Sequence, residues 1–159
     1  MSRISARFRK LGHTRWFARV GRALVPVDRA LGKLTRGRYV AFGMRDVPSL
    51  LITTIGRTSG LARTNPLLYV PDGDAFAVVG SNWGQDRQPA WALNLIAHPD
   101  AVVTLKGAEI SVRATLASGV ERDRLWDLLL TMWPAYATYQ ARAANRDIMV
   151  FRLDRTATG

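Results

Sequence analysis

The stretch Leu50–Leu68, LLITTIGRTSGLARTNPLL, decides how this chain reads. A β-branched apolar run, Leu50 to Ile55, ends at Gly56, and a second apolar run restarts at Pro66-Leu67-Leu68-Tyr69-Val70. Between them lies a short loop with Arg57, Thr58, Ser59, Gly60 and Arg63. The pattern predicts strand, loop, strand. The loop carries the groups that hold an anion. Guanidinium forks match phosphate or carboxylate oxygens, and glycines let backbone N–H groups approach a ligand.

Downstream, Asp72-Gly73 predicts a tight turn into a third strand, Ala75–Gly80. A polar loop, Ser81–Gln88, precedes a helix that begins near Pro89, with Trp91, Leu93, Leu95 and Ile96 as its apolar residues and His98-Pro99 at its end. Ala101–Lys106 and Glu109–Leu116 read as a hairpin, the second strand alternating Ile110, Val112 and Ala114 with polar neighbours. Val120–Trp133 reads as a helix with Leu125, Leu128, Leu129 and Met132 buried. Pro134 interrupts it, a short helix carries Tyr136, Tyr139 and Gln140, and Ile148–Leu153 is a last strand. Six strands, mostly antiparallel, with two helical insertions predict a small closed or split β-barrel.

Upstream, residues 1–38 carry apolar positions at helical spacing: Ile4, Phe8 and Leu11, then Phe17, Val20, Leu24, Val27, Leu31 and Leu34. Pro26 is expected to break or restart this helix. The net charge of +11 is confined to this arm: residues 1–45 hold twelve Lys or Arg against one acid, Asp28, and the remainder balances. This distribution weakens the case for the whole protein as a nucleic-acid binder. A basic amphipathic arm with Phe8, Trp16 and Phe17 suits an anionic membrane surface, or a helix packed on the body with a solvated basic face. The expected organisation is an arm over 1–46, one barrel domain over 47–154 and a polar tail over 155–159.

Among the 159 residues there is no cysteine, which excludes disulfides and thiolate chemistry, and there are two histidines, His13 and His98, whose separation argues against a histidine-rich metal centre. No run of apolar residues is long enough to span a membrane. There is no G-x-S-x-G and no Walker loop. What remains is the Gly56–Arg63 loop, the strand end Gly80-Ser81-Asn82 with Trp91 and Asn94 beyond it, and the aromatic series Trp133, Tyr136 and Tyr139. Small and amide residues at the strand end let a flat ring approach the backbone, and the aromatic series shares a helix face.

These motifs resemble the deazaflavin-dependent nitroreductases, small actinobacterial proteins that use coenzyme F420. The resemblance rests on GRTSGLART-NPL, Gly80-Ser81, Pro89-Ala90-Trp91-Ala92-Leu93-Asn94-Leu95, Ala97-His98-Pro99 and Tyr136-Ala137-Thr138-Tyr139-Gln140, in unbroken order. It implies a six-stranded antiparallel split β-barrel of the flavin-binding type. It implies an enzyme passing a hydride from the reduced deazaflavin to a quinone-like or nitroaromatic acceptor. By the same resemblance Arg57, Thr58, Ser59, Gly60 and Arg63 would hold the cofactor's acidic tail. Pro66, Gly80, Ser81, Asn82, Trp91 and Asn94 would line the deazaflavin. Leu68, Trp133, Tyr136 and Tyr139 would wall the acceptor, with Tyr136, Tyr139 and Ser81 nearest the chemistry. Thr58 and Asn82 stand where family members often carry lysine. The expected place is the cytoplasm, with the basic arm as a peripheral contact to the membrane's inner face. A barrel of this type binding FMN or haem, and an adaptor driven by the basic arm, are the competing readings.

Overall fold

A computed structural model describes residues 9–35 and 47–157. Ile4, Phe8 and residues 36–46 lie outside the described residues, so the expectations for them have no structural counterpart here. Helix α1 is Arg15–Leu34. Strands β1 (Ser49–Ile55), β2 (Ala62–Asp72) and β3 (Ala75–Val79) follow, then a single turn of 3-10 helix, Asn82–Gly84. The chain continues through α2 (Ala90–Ala97), β4 (Asp100–Leu105), β5 (Ala108–Leu116), α3 (Gly119–Met132), α4 (Ala135–Arg142) and β6 (Val150–Arg155). The six strands close into one barrel in the order β1-β2-β3-β6-β5-β4, with every pair antiparallel.

Two cores flank the sheet, and β3 shows why. Its sequence, AFAVV, is buried on both faces. Successive side chains point to opposite sides of a strand. Phe76 and Val78 therefore enter the barrel interior with Leu50, Ile52, Val103 and Phe151, where Trp91 and Leu95 of α2 join them. Ala77 and Val79 enter an outer core beneath α3 and α4, with Leu125, Leu129, Met132 and Tyr136. Leu128, expected in the buried stripe of α3, is only partly buried at the edge of that core.

β2 is longer than the apolar pattern suggests. Arg63 is part of the strand, opposite Thr54, and the loop shrinks to residues 56–61. From Ala62 to Leu68 the strand pairs with β1, whereas β3 pairs only with Tyr69 to Asp72. Residues 62–68 therefore have an unpaired edge. Proline, lacking an N–H, is tolerated at such an edge, and Pro66 sits in this segment. The barrel is closed, but β2 and β3 part here.

The α1 helix departs from expectation twice. It continues through Pro26. That residue is exposed, so water can satisfy the carbonyl that loses its partner. Its buried face also differs from the one its large apolar residues predict. Phe17 is buried, but Leu24, Val27, Leu31 and Leu34 are exposed, Val27 by 62% and Leu34 by 84%. The face against the barrel carries Phe17, Ala18, Gly21, Asp28 and Gly32. Small residues win because the body presents a ridge: a Cβ on Gly21 would lie 2.4 Å from Trp83 Cη2, and one on Gly12 would lie 2.8 Å from Trp133 Cζ2.

The β2–β3 turn is anchored by Asp72. Arg124 of α3 donates to both its oxygens, at 2.9 and 2.8 Å, and Arg152 of β6 donates at 3.0 Å. Arg124 and Arg152 hold the Asp72 carboxyl down at about 2. A carboxyl depressed in the fold binds its proton more readily when unfolded, so its stabilisation is full above the ordinary aspartate range and is lost as pH falls toward 2. Asp72→Asn is expected to lower unfolding free energy by about 1–3 kcal/mol at neutral pH. The gap to wild type should close in acid; urea melts at pH 7 and pH 3 check this, and an unchanged gap would remove Asp72 from the account.

Candidate functional site

The Gly56–Leu61 turn is built from its own backbone. Gly56 N–H donates to Leu61 O, and Gly60 N–H donates to Gly56 O, both at 2.8 Å. Gly60 has φ of 69°, a left-handed conformation that favours glycine. A Cβ on Gly56 would lie 2.6 Å from Ser59 Oγ, and that hydroxyl accepts from Leu61 N–H at 3.3 Å. Arg57, Thr58, Ser59, Gly60 and Arg63 are exposed and open to a ligand.

Asn94 ties this turn to α2. Its side-chain oxygen accepts from Arg57 N–H at 3.1 Å, and its amide donates to Thr54 Oγ1 at 3.1 Å. Asn94 is 4% exposed and does not line the cavity described below. The structure therefore gives it a place other than the ring contact expected from sequence: it clamps the loop. The amide is consumed because a buried Thr54 hydroxyl and an orphan backbone N–H both need partners. Gly80 is likewise outside the cavity lining; a Cβ there would lie 3.3 Å from Pro89 Cγ, so it lets β3 and α2 approach.

A cavity of about 470 Å³ opens at the unpaired edge of β2. Pro66, Leu68, Ser81, Asn82, Trp91, Trp133, Tyr136 and Tyr139, all singled out from sequence, line it together. The Gly56–Leu61 turn does not reach it, but the start of α2 does, through Pro89, Ala90 and Trp91. Sequence reasoning missed a whole wall. Phe17, Val25, Asp28 and Arg29 of α1 face the same space. So do Trp83, Gln85, Arg87 and Gln88. The sole acid of the basic arm, Asp28, was the available signal for this wall.

Hydrogen bonds made by α1 and by the residues that lead into it hold the helix there. Tyr139 O–H donates to Gly12 O at 2.9 Å, Arg142 donates to His13 O, and Arg29 donates to Asn65 Oδ1 at 2.8 Å. Phe17 meets Trp83 and Trp133 with ring centroids 6.3 and 6.1 Å apart. The Tyr139 hydroxyl expected beside the acceptor is thus engaged with the backbone, and the residue is 1% exposed. Tyr136 differs. Among the described residues its hydroxyl makes no hydrogen bond, and burial pushes its phenol far above the ordinary tyrosine range. Burial raises Tyr139 as well. Both phenols are protonated at any physiological pH, so Tyr136 can donate a hydrogen bond and cannot act as a base.

The opposite wall is strained. Asn82 and Trp83 have φ of 43° and 57°, left-handed values that cost a non-glycine residue about 1–2 kcal/mol each. Arg146 over-determines this conformation. Its guanidinium donates to the carbonyls of Gln85 (2.9 Å), Gly80 (3.2 Å) and Ser81 (2.9 Å) and to Gln88 Oε1 (2.7 Å). Asn82, in the cavity lining, spends its amide on Arg87 O at 2.9 Å. No cluster of potential metal ligands occurs among the described residues.

The model of the F420H(2)-dependent quinone reductase family matches residues 28–154. The chain belongs to this family. The F420H(2)-dependent quinone reductase Rv1261c of Mycobacterium tuberculosis (strain ATCC 25618 / H37Rv) is 34% identical over 146 residues, covering 89% of this chain and 97% of that protein. A solved structure described as F420-H2 dependent reductase FDR-A has 33% identity and a TM-score of 0.62, covering 67% of this chain and 94% of its own. Another, described as a domain-swapped dimer, has 32% identity and a TM-score of 0.65, covering 81% and 94%. These neighbours share the split-barrel architecture expected from sequence. The family match begins at Asp28, so the α1 residues that meet Trp83 and Trp133 lie before it.

The Arg146 hub carries an expected outcome. Arg146→Ala leaves several part-buried carbonyls without a donor, each costing about 1–3 kcal/mol. Thermal melts should show a loss of about 2–4 kcal/mol, and hydrogen exchange should quicken selectively at residues 81–88. Exchange that quickens uniformly across the barrel would contradict a local role.

Proposed function

We propose that this protein is an F420-dependent reductase that delivers a hydride equivalent to a quinone-like acceptor bound in the cavity between α1 and the split edge of β2. The observation that carries this is the convergence of the sequence-selected residues on one flat-walled, largely apolar space, in a chain of this family. The site chemistry fits the cofactor. The cavity has the volume of a small-molecule site, Trp91, Pro66 and Pro89 supply flat apolar surface, and Arg57 of the Gly56–Leu61 turn, with Arg63 at the start of β2, lies one helical turn away along α2.

When bound, the deazaflavin supplies two electrons as a hydride, which is why the protein needs no thiol, metal or histidine dyad. The chain's residues orient and exclude. Arg57 and Arg63, with Thr58, Ser59 and Gly60, would hold the acidic tail by charge-assisted hydrogen bonds. Pro66, Ser81, Asn82 and Trp91 would line the ring. Leu68, Trp133 and Tyr136 would face the acceptor, and α1 would keep water out through Phe17. Tyr136 O–H would donate a hydrogen bond to a quinone or nitro oxygen as negative charge develops there.

The exposed stripe of α1 favours one addition. Trp16, Leu24, Val27, Leu31 and Leu34 form an unpaired apolar face on a helix whose opposite face is basic. We infer that it rests on an anionic membrane, where lipid-soluble quinones reside. No helix of the described residues is long and apolar enough to cross a membrane.

Three measurements test these readings. Fluorescence titration with F420 should saturate for wild type and weaken at least about tenfold for Arg57→Ala/Arg63→Ala, about 1.4 kcal/mol; no saturation by wild type would sink the proposal. Tyr136→Phe should lower turnover about 10- to 100-fold while leaving F420 affinity in place, whereas Tyr139→Phe should mainly lower stability, by about 1 kcal/mol. For the membrane contact, Val27→Asp/Leu31→Asp should abolish co-sedimentation with phosphatidylglycerol vesicles; equal sedimentation of variant and wild type would refute it.

A further inference from the structure

A second concave site adjoins the cavity and is unlike it. Arg15, Arg19 and Arg22 stand at i, i+4 and i+7 on α1, one face of the helix. Arg87 from the loop and Arg142 from α4 close the other sides of a cleft of about 530 Å³. Asp86 is the one carboxylate among its lining residues.

Five guanidinium groups here face a single carboxylate. Among the described residues Arg15, Arg19, Arg22, Arg87 and Arg142 make no salt bridge. Arg22 has a neutral partner: with the Gln85 amide turned to accept, it donates twice to the side-chain oxygen, at 3.0 and 2.9 Å. Arg142 donates to the His13 carbonyl. Like charges at i, i+4 on a helix destabilise it by a few tenths of a kcal/mol, roughly 0.2–0.5 per pair. A solvated basic face spreads such charges outward. Here three elements bring them around one open cleft, so that their fields add over a single space.

We propose that this cleft binds a phosphate group. Several planar forks converging on one space suit an oxyanion with more than one charge, because each fork can offer paired N–H donors. The site is distinct from the Gly56–Arg63 turn, which contributes no residue to it. It is coupled to the acceptor cavity, since Trp83, Gln85 and Arg87 line both. A phosphate held by Arg87 and Arg22 fixes the loop that walls the cavity. A free phosphate compound and a phospholipid headgroup share this chemistry.

The test uses inorganic pyrophosphate and the full chain, with no cofactor present, so it stands apart from the hydride-transfer reading. The background is Arg57→Ala/Arg63→Ala, which removes the other anion site. Calorimetric titration of that protein should show saturable binding at one site. Adding Arg15→Gln/Arg19→Gln, two exposed positions where glutamine suits a helix, should weaken binding at least about tenfold. Arg15→Lys/Arg19→Lys, which keeps charge but loses the fork, should weaken it less. No saturable binding in the background protein, or binding untouched by the glutamine pair, would overturn the proposal. Phosphatidylglycerol vesicles that displace pyrophosphate, where phosphatidylcholine vesicles do not, identify a lipid headgroup; failure of both to compete identifies a free phosphate compound.

Discussion

The guanidinium of Arg146 is the contact on which the site most depends. It gathers the carbonyls of Gly80, Ser81 and Gln85 and the side chain of Gln88, and so holds a loop whose Asn82 and Trp83 adopt left-handed backbone. Left to local preference that loop would relax. Held, it raises Trp83 as a ridge. The ridge then selects what can dock on it: Gly21 of α1, whose missing Cβ leaves room for the indole. The position of α1, its wall of the cavity and the exposure of the helix's large apolar side chains all follow from that fit.

Much of the barrel was legible in the sequence because its signals are local. The apolar run before Gly56, the Asp72-Gly73 turn and the Pro134 break each act within a few residues. Their boundaries moved where a neighbour strand decided them. Arg63 entered β2 because β1 runs alongside as far as Ile55. The residues lining the cavity were also largely legible, through their resemblance to a family.

What sequence could not give is long-range. Arg146 lies some sixty residues from the carbonyls it serves and carries no local motif. Asn94 and Tyr139 looked like ligand contacts by position, yet their polar atoms serve Thr54, Arg57 and Gly12. Buried polar groups take the nearest partner that removes their desolvation cost. The apolar periodicity of α1 was real, but burial went to its small-residue face, because shape complementarity to Trp83 outranked hydrophobicity.

The central claim is that the cavity under α1 is where the acceptor meets the reduced cofactor. Stopped-flow mixing of protein loaded with reduced F420 against a menaquinone analogue tests it most directly, with wild type compared to Phe17→Ala, which opens the α1 wall while leaving the Arg57–Arg63 turn intact. The account gives a reoxidation rate that saturates with acceptor in wild type and falls at least about tenfold in the variant. Equal rates for the two proteins, or no reoxidation by wild type, would contradict it.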